Sequence, residues 1–472
     1  VALWKPTRFE RKQIISTLGD GINTAVPAFN IKDSEASYLR NIGSQNYPAM
    51  SVRYGRTFYN STMPTVTTPN GIGERDNDQL HVLDGVLWKY WDSGSSAFVN
   101  LSSSLSSTEG RILDFNTGSI RYTLMMNSTQ KLYWDGESTS STGYSLGDAS
   151  TPNTKLFTVH RGRVFAASGA TVYYSALNNI NDWTTANDSG SITITRARGD
   201  ITGIFEYNDH VIVFTEFSMH ELYGDSPENF QLIDIEGNIG CISDKSIIKV
   251  NNKLYWLAQD GVYEYQGASP VKISLLVDTY IDDINYANRV KCAGGNINGF
   301  YYLAIPYNNT DNNLILVYDS DIRKWYIETG NFKYFVTIQN TLYGSDSTGG
   351  ILDMRDMDAT DDNGTAISWE FITKPFKEND VSQKISVSDI SLIYNASTTS
   401  TLNISYSTSV SSTNFTSLAV SSDLQLIGEE ANTLLNIPTT DLNDENWYRL
   451  KFDGTGQCDI HYLEKNYRIR RR

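Results

Sequence analysis

With Gly364 taken as the sixth residue of a calcium loop, Asp361 falls at the third position, Asn363 at the fifth and Glu370 at the twelfth. Carboxylate and amide oxygens at that spacing wrap a hard cation. The first position, however, is Ala359, which has no ligand oxygen, and Glu370 lies in a strand-patterned stretch rather than a helix. The expectation is therefore a flexible acidic hinge over residues 357–365, without bound metal. A sialidase-type turn (Ser-x-Asp-x-Gly-x-Thr-Trp) comes nearest at Asp92-Ser93-Gly94, but Tyr90 replaces the serine and Ala97 the aromatic. His81, His160, His210, His220 and His461 show no metal-ligand spacing, and Cys241, Cys292 and Cys458 form neither a zinc pattern nor a disulfide framework. The sequence has no phosphate-binding glycine loop, no Gly-x-Ser-x-Gly elbow and no His-Glu-x-x-His. Carboxylates are plentiful, and a pair of them can hydrolyse a glycoside, but sequence alone pairs none. No catalytic, cofactor-binding or metal-ligating residue is assigned, and no cofactor is expected.

The chain that would have to position any such residues is 472 residues long, beyond the size of one compact core. It is 12% aromatic and only 19% charged, and rich in Tyr, Ser, Thr, Asn and Gly, which suits pleated strands and tight turns. The net charge is −16. Affinity for nucleic acid grows with the phosphates that Lys and Arg neutralise, so this balance argues against a DNA-coating protein, though not against one that surrounds DNA without gripping it. No apolar run has the roughly 18 residues that cross a bilayer. The start, VALWKPTRFERKQ, carries charge and no apolar core, so no signal peptide is expected, and Val1 fits removal of an initiator Met. Sparse cysteine suits folding in a reducing cytosol.

Residues 246–267 (SIIKVNNKLYWLAQDGVYEYQG) give the organising pattern. Two alternating runs meet at Asn251-Asn252, and Asp260-Gly261 turns the chain into a third, which is hairpin chemistry. Looser copies run over Gln79–Asp92, Ile120–Gly136, Leu156–Ser175, Ile201–Gly224, Gly299–Glu328 and Phe332–Asp356. Repeated small meanders at roughly 43-residue spacing are the mark of β-propeller blades. A meander cannot bury both faces alone, so blades stack and fill the gaps with large side chains. Trp88, Trp134, Tyr174, Tyr223, Trp256, Tyr302 and Tyr343 are the candidates for those layers. The predicted fold is all-β, a propeller of about seven blades (six to eight remain open) over residues 51–357, with residues 51–60 able to supply a strand that closes the ring. Residues 1–50 read as an arm, with helix-start chemistry at Asp33 or Ser34 before Arg40. Residues 358–472 read as an antiparallel β-sandwich, with strands over Ser368–Phe376, Lys384–Tyr394, Leu402–Thr408, Leu434–Ile437, Trp447–Phe452 and Cys458–Tyr467. The basic end, Arg468 to Arg472, reads as a solvated tail, with contact to nucleic acid or an acidic partner as the other reading.

Three stretches carry a family resemblance: Gly19–Arg56 (GDGINTAVPAFNIKDSEASYLRN, then SVRYGR), Leu156–Asn187 (HRGRVFAASGATVYYSALNNINDWTT) and Gly237–Gly267. Together with the order of parts, they resemble the β-propeller tail hub or nozzle proteins of tailed bacteriophages, including packaged-DNA stabilisation proteins. The resemblance implies a non-enzymatic virion protein, assembled in the host cytoplasm and placed in the tail. It implies a homo-oligomeric ring, sixfold, beneath the portal and adaptor and among other tail proteins. Such a ring lengthens the DNA channel and helps retain and deliver the genome, with transient non-specific proximity to packaged DNA. Two other functions remain open at this point: a glycan-binding propeller for host adsorption, and a glycosidase acting on surface polysaccharide. The first predicts exposed Trp or Tyr at equivalent positions on one rim. The second predicts two carboxylates facing each other across the central mouth, about 5–10 Å apart.

Overall fold

The computed structural model describes residues 10–137, 144–195, 198–378, 382–397, 399–409, 413–419, 433–439 and 442–470. The molecule is built almost wholly of strands, and small antiparallel sheets follow one another along the chain. The first sheet shows the pattern, with Pro69–Arg75, Gln79–Asp84, Leu87–Asp92 and Ala97–Ser102 paired in chain order. Further four-stranded sheets lie within residues 110–145, 157–193, 201–236, 248–272 and 293–329. A last one pairs Phe332–Ile338, Thr341–Asp346 and Ile351–Asp356, and is completed by Gly55–Phe58 from the other end of the chain. Residues 51–60 thus do supply the closing strand.

The first strands of these sheets stand side by side around an axis. Residues 69–75 contact 110–116, which contact 157–160, which contact 201–207. Residues 248–250 contact 293–297, which contact 332–338, and these return to 69–75. The 3₁₀ turn Asp244–Ser246 bridges the fourth sheet and the fifth. This is a β-propeller, as the repeats predict.

The turns explain why the sequence folds this way. Four two-residue hairpin loops, 161–162, 251–252, 298–299 and 339–340, have positive φ at both positions. That geometry matches the right-handed twist of the flanking strands, and Asn and Gly reach it at least cost. Each of the four joins the first strand of a sheet to the second.

Consecutive sheets are held together by separate apolar layers. Trp88, Leu101, Ile112, Met125 and Trp134 fill the gap between the first and second. Phe214, Trp256, Tyr263 and Tyr265 fill that between the fourth and fifth. Trp88, Trp134, Tyr174, Trp256 and Tyr302 are buried as expected. Tyr343 is only half-buried and Tyr223 is exposed, its ring lying 4.7 Å from that of His210.

The two chain ends differ most from expectation. Residues 10–52, within the stretch read as an arm, lie on their own chain and contribute strands to both sheets of the sandwich. Glu10–Ile15 pairs antiparallel with Cys458–Arg470, which also pairs with Met50–Val52 and Lys384–Ala396. Thr433–Pro438 extends that sheet beyond Lys384–Ala396. The facing sheet runs Ala36–Arg40, Ser368–Thr373, Trp447–Thr455, Thr401–Ser407, Thr416–Ala419. The helix expected after Asp33 is therefore the strand Ala36–Arg40. A bulge between Ala36 and Tyr38 places the two buried residues, Ala36 and Leu39, three apart, and that spacing imitates a helical face. Ile15, Leu18, Ile22, Leu39 and Met50 join Trp369, Leu392, Leu450 and Phe452 in one core, which continues into the fifth to last sheets of the propeller.

The hinge is corrected as well. Asp361–Asp362 forms a hairpin with Thr365–Ala366 and lies against Arg56 of the closing strand. Asp362 receives both Nη groups of Arg53, at 2.9 and 2.6 Å. Asp361 accepts from the backbone N–H of Gly364, and Glu370 lies in its strand near Arg40 and Lys451. Side chains counted as possible calcium ligands are thus occupied with turn and ion-pair duties. The C-terminal strand reaches Arg470, and Arg468 is tied to Glu10 rather than free. Arg471 and Arg472 of the basic end lie outside the described residues.

Candidate functional site on the propeller axis

The first strands enclose a cavity of about 280 Å³ on the axis, lined by residues of six sheets of the ring and by Lys155 from the segment leading into the third. At the end where these strands begin, Lys245, Glu109, Lys155 and Asp244 form an alternating chain of charges. Lys155 Nζ lies 3.0 Å from Asp244 Oδ1, Glu109 accepts from both lysines, and Lys245 Nζ sits 4.8 Å from the centre of the Tyr334 ring. Burial alone would push the Glu109 carboxyl up, but the ammonium groups of Lys245 and Lys155 hold it down to about 2. The network is electrically balanced, two lysines to two carboxylates, and lines this end of the axis.

Arg111 lies in the cavity wall. Its Nη1 donates to the carbonyl oxygens of Phe157 at 3.1 Å and Ile204 at 3.3 Å, so one guanidinium ties the second sheet to the third and fourth. Burial pushes its pKa below the ordinary arginine value, with Asp244 opposing.

Towards the other end a second cavity of about 250 Å³ shares Glu74, Arg111, Leu113 and Phe205 with the first, and adds Asp114 and Glu206. Glu74 accepts from the backbone of Asn77 at 2.5 Å. Asp114 accepts from the backbone of Asp76 at 3.3 Å and lies 3.5 Å from Arg121 Nε, while its buried Oδ1 accepts no hydrogen bond. Burial raises the pKa of both Glu74 and Asp114. Glu206 Oε1 is 3.7 Å from His160 Nδ1.

A second constellation, unmarked in the sequence, has the outline of a catalytic triad. Asp234 Oδ1 is 2.7 Å from His220 Nδ1, and His220 Nε2 is 2.8 Å from Ser218 Oγ. A hydrolytic nucleophile must be open to its substrate. Ser218 is 2% exposed, its hydroxyl is shared with Thr215 Oγ1 at 2.6 Å, and neither axial cavity reaches it. The chain Thr215–Ser218–His220–Asp234 is therefore a hydrogen-bonded strut across three strands of the fourth sheet. The spacing Ser218-x-His220, from the turn before the strand Met219–Tyr223 into that strand, was the only local signal of it.

The remaining residues singled out in the sequence serve packing. His81 is buried against Trp88, Tyr90 and Trp134, and burial pushes its pKa down to about 3, so it is neutral. His210 lies 2.9 Å from Glu221, and His461 bonds Asn395. Cys241, Cys292 and Cys458 are free and buried, and burial raises all three thiols above their usual range. Asp92 caps its own hairpin by accepting from Gly94 and Ser95. Among the described residues no group of His, Cys, Asp or Glu is arranged to hold a metal ion, and no helix is long and apolar enough to cross a membrane.

No family model matches the sequence, and no curated protein matches it. Solved structures do resemble the fold. A streptogramin B lyase aligns over 63% of this chain and 96% of its own, at 9% identity and a TM-score of 0.45. BamB from Moraxella catarrhalis aligns over 68% and 94%, at 12% identity and 0.39. The WD40 β-propeller domain of Doa1 aligns over 64% and 98%, at 7% identity and 0.44. Likeness at this identity bears on fold alone. By fold, the chain is a β-propeller protein.

Proposed function

We propose that the chain is a structural protein of a tailed-bacteriophage virion, a non-enzymatic subunit of a ring-shaped tail hub or nozzle. The observation that carries the proposal is the buried ion-pair cluster where the propeller ring closes, tied to the sandwich through Asn41 and Ser368. Arg53 and Arg56 are each 4% exposed, and both face Glu328, which is 3% exposed. Arg53 reaches on to Asp362, and Asn41 donates to Thr329 Oγ1 and the Ser368 carbonyl. Buried ion pairs of this kind contribute little net stability but fix one geometry, because any other leaves a charge unpaired. A subunit locked in that way suits a wall element that has to hold its shape. The resemblance of Gly19–Arg56, Leu156–Asn187 and Gly237–Gly267 to hub proteins supplies the biological setting.

The propeller's own axial cavity, about 280 Å³, is far too small for a nucleic-acid duplex. In this reading the DNA channel lies instead at the centre of a ring of copies, beneath the portal and adaptor, and the net charge of −16 keeps DNA from adhering. Among the described residues no tryptophan is exposed, so the repeated aromatic rim of a glycan-binding propeller is not displayed by that residue type. Light scattering and particle images of the purified protein, alone and with portal and adaptor, test the proposal. A closed ring of cyclic symmetry, sixfold, is the expected result. A persistent monomer that binds or cleaves host polysaccharide overturns it.

A further inference from the structure

The fold segregates charge in a way that the net value hides. The outer strand of the fourth sheet, Gln231–Glu236, pairs on one side with Met219–Tyr223, and among the described residues nothing pairs with its other side. Residues 201–236, which make up that sheet, contain eight Asp and Glu and no Lys or Arg, −8 of the chain's −16. Asp225 meets Asn229, Asp234 meets His220, and Glu236 meets the backbone of Gly237 and Asn238. No described lysine or arginine reaches any of the three, nor Glu228. Ile233, 44% exposed, and Tyr223, 36% exposed, stand among these carboxylates. The opposite sign gathers on the sandwich. Residues 1–15 and 458–472 hold nine Lys and Arg against three Asp and Glu, 9 − 3 = +6. The register Glu10↔Arg468 means that the chain enters its first strand and leaves its last at the same end of the sheet. Arg11 and Lys12 are about half exposed there, though they also touch Glu378 and Glu464, and Ile14 is 50% exposed.

We propose that copies of this chain associate head to tail, the basic end of one copy's sandwich lying on the acidic outer strand of the next copy's fourth sheet. The inference rests on the ring reading above and names the contact that builds the ring. Like charges crowded on one sheet repel one another, and a cationic partner relieves that cost. Complementary potentials also fix orientation, and Ile14 and Ile233 offer an apolar contact between the two surfaces. DNA fits only half of this pattern, since a phosphate backbone suits the basic end and is repelled by the fourth sheet. The contact lies between chains, because the apolar layers on both faces of the fourth sheet contain propeller residues only. Two different surfaces make it heterologous, and such a contact generates a ring when its rotation closes.

Light scattering of the full chain over a concentration series tests it, on the assembly that the wild type forms alone or with portal and adaptor. One variant, Glu228→Lys with Glu236→Lys, reverses charge on the fourth sheet. The other, Arg470→Glu with Arg471→Glu and Arg472→Glu, reverses it at the basic end. Melting curves equal to wild type show that each is folded. Should the first pair lower the melting curve, Glu228→Lys alone serves, at a side chain with no partner among the described residues. Each variant by itself should raise the midpoint concentration of assembly at least about tenfold. An equimolar mixture of the two should recover the wild-type mass, because their reversed surfaces complement each other in alternation around an even-numbered ring. Raising salt from about 0.05 to about 0.5 M should weaken the wild-type assembly. A wild-type assembly that neither reversal changes overturns the contact and leaves the ring reading standing. A wild type that stays monomeric, alone and with portal and adaptor, overturns both. Loss through one reversal only, or no recovery on mixing, also overturns the contact. Where the basic end alone matters, binding of a DNA duplex that its reversal abolishes identifies the partner it takes instead.

Discussion

Glu109 is the residue through which the axial network is coupled, since it alone accepts from both Lys155 and Lys245. Its carboxyl is held near 2 against an ordinary 4.5. A carboxyl whose folded pKa is depressed contributes stability that is complete above the unfolded pKa and is lost as pH falls through the folded one. The relevant window thus runs from about 4.5 down to about 2. Glu109→Gln removes the common acceptor; Lys155 keeps Asp244, while Lys245 keeps only the face of Tyr334. With the carboxyl about a third exposed, we expect a loss of ~2 kcal/mol at neutral pH, below the cost of breaking a fully buried pair. Urea unfolding at pH 7 and pH 3 checks this: the difference between wild type and Glu109→Gln should shrink at the lower pH. An equal difference at both would show that the carboxylate's charge is not what matters. His81 illustrates the opposite case, a titratable group that burial keeps neutral at neutral pH and down to about pH 3.

At the level of elements, the closing strand Gly55–Phe58 depends on Arg56, whose Nη1 donates to the Thr329 carbonyl at 2.7 Å and whose Nη2 meets Glu328. Arg56→Met leaves Glu328, 3% exposed, with only the 3.8 Å approach of Arg53. Breaking one side of such a buried pair costs ~3–5 kcal/mol. Thermal unfolding should show that loss, and hydrogen exchange should speed up at residues 55–58 and 351–356. Adding Glu328→Met should restore much of the stability, since the buried charge is then gone; failure to do so would assign the effect to packing. The strands of this fold were unequally legible in the sequence. The middle strands of each sheet stand out, being alternating runs bounded by Asn and Gly turns. The first strands do not. Pro69–Arg75 and Ala293–Ile297 are rich in glycine, because they crowd the axis: a Cβ on Gly73 would come within 2.5 Å of Ile112 Cβ, and one on Gly294 within 2.8 Å of Ile248. Small residues there are a consequence of tertiary contact, and local pattern does not encode it. The axial site was hidden for the same reason. Glu109, Lys155 and Asp244 sit in the segments leading into three different sheets, far apart in sequence, and only ring closure brings them together.

At the level of the whole molecule, the chain begins in the sandwich, circles the propeller and returns to the sandwich. The propeller is consequently continuous over residues 53–366, whereas the sandwich is made from both ends. Removing the first forty residues therefore does not detach an appendage. It strips Glu10–Ile15 and Ala36–Arg40 from two sheets, takes Ile15, Leu18, Ile22 and Leu39 out of the core, and exposes the long edge of Cys458–Arg470. Loss of ring assembly in such a truncation would report misfolding as much as a missing contact. Three fragments separate the possibilities. Residues 53–366 retain every strand of the ring, including Gly55–Phe58, and should unfold cooperatively with a β-type circular dichroism spectrum. Residues 367–472 alone should be aggregated or unfolded, because the two sheets lack their N-terminal strands and several core side chains. Co-expression with residues 1–52 should recover a soluble complex through the Glu10↔Arg468 and Arg40↔Glu370 registers. A C-terminal fragment that folds unaided would show that the N-terminal segment lies on a finished sandwich after all. In that case removal of the first forty residues would be a clean test of assembly.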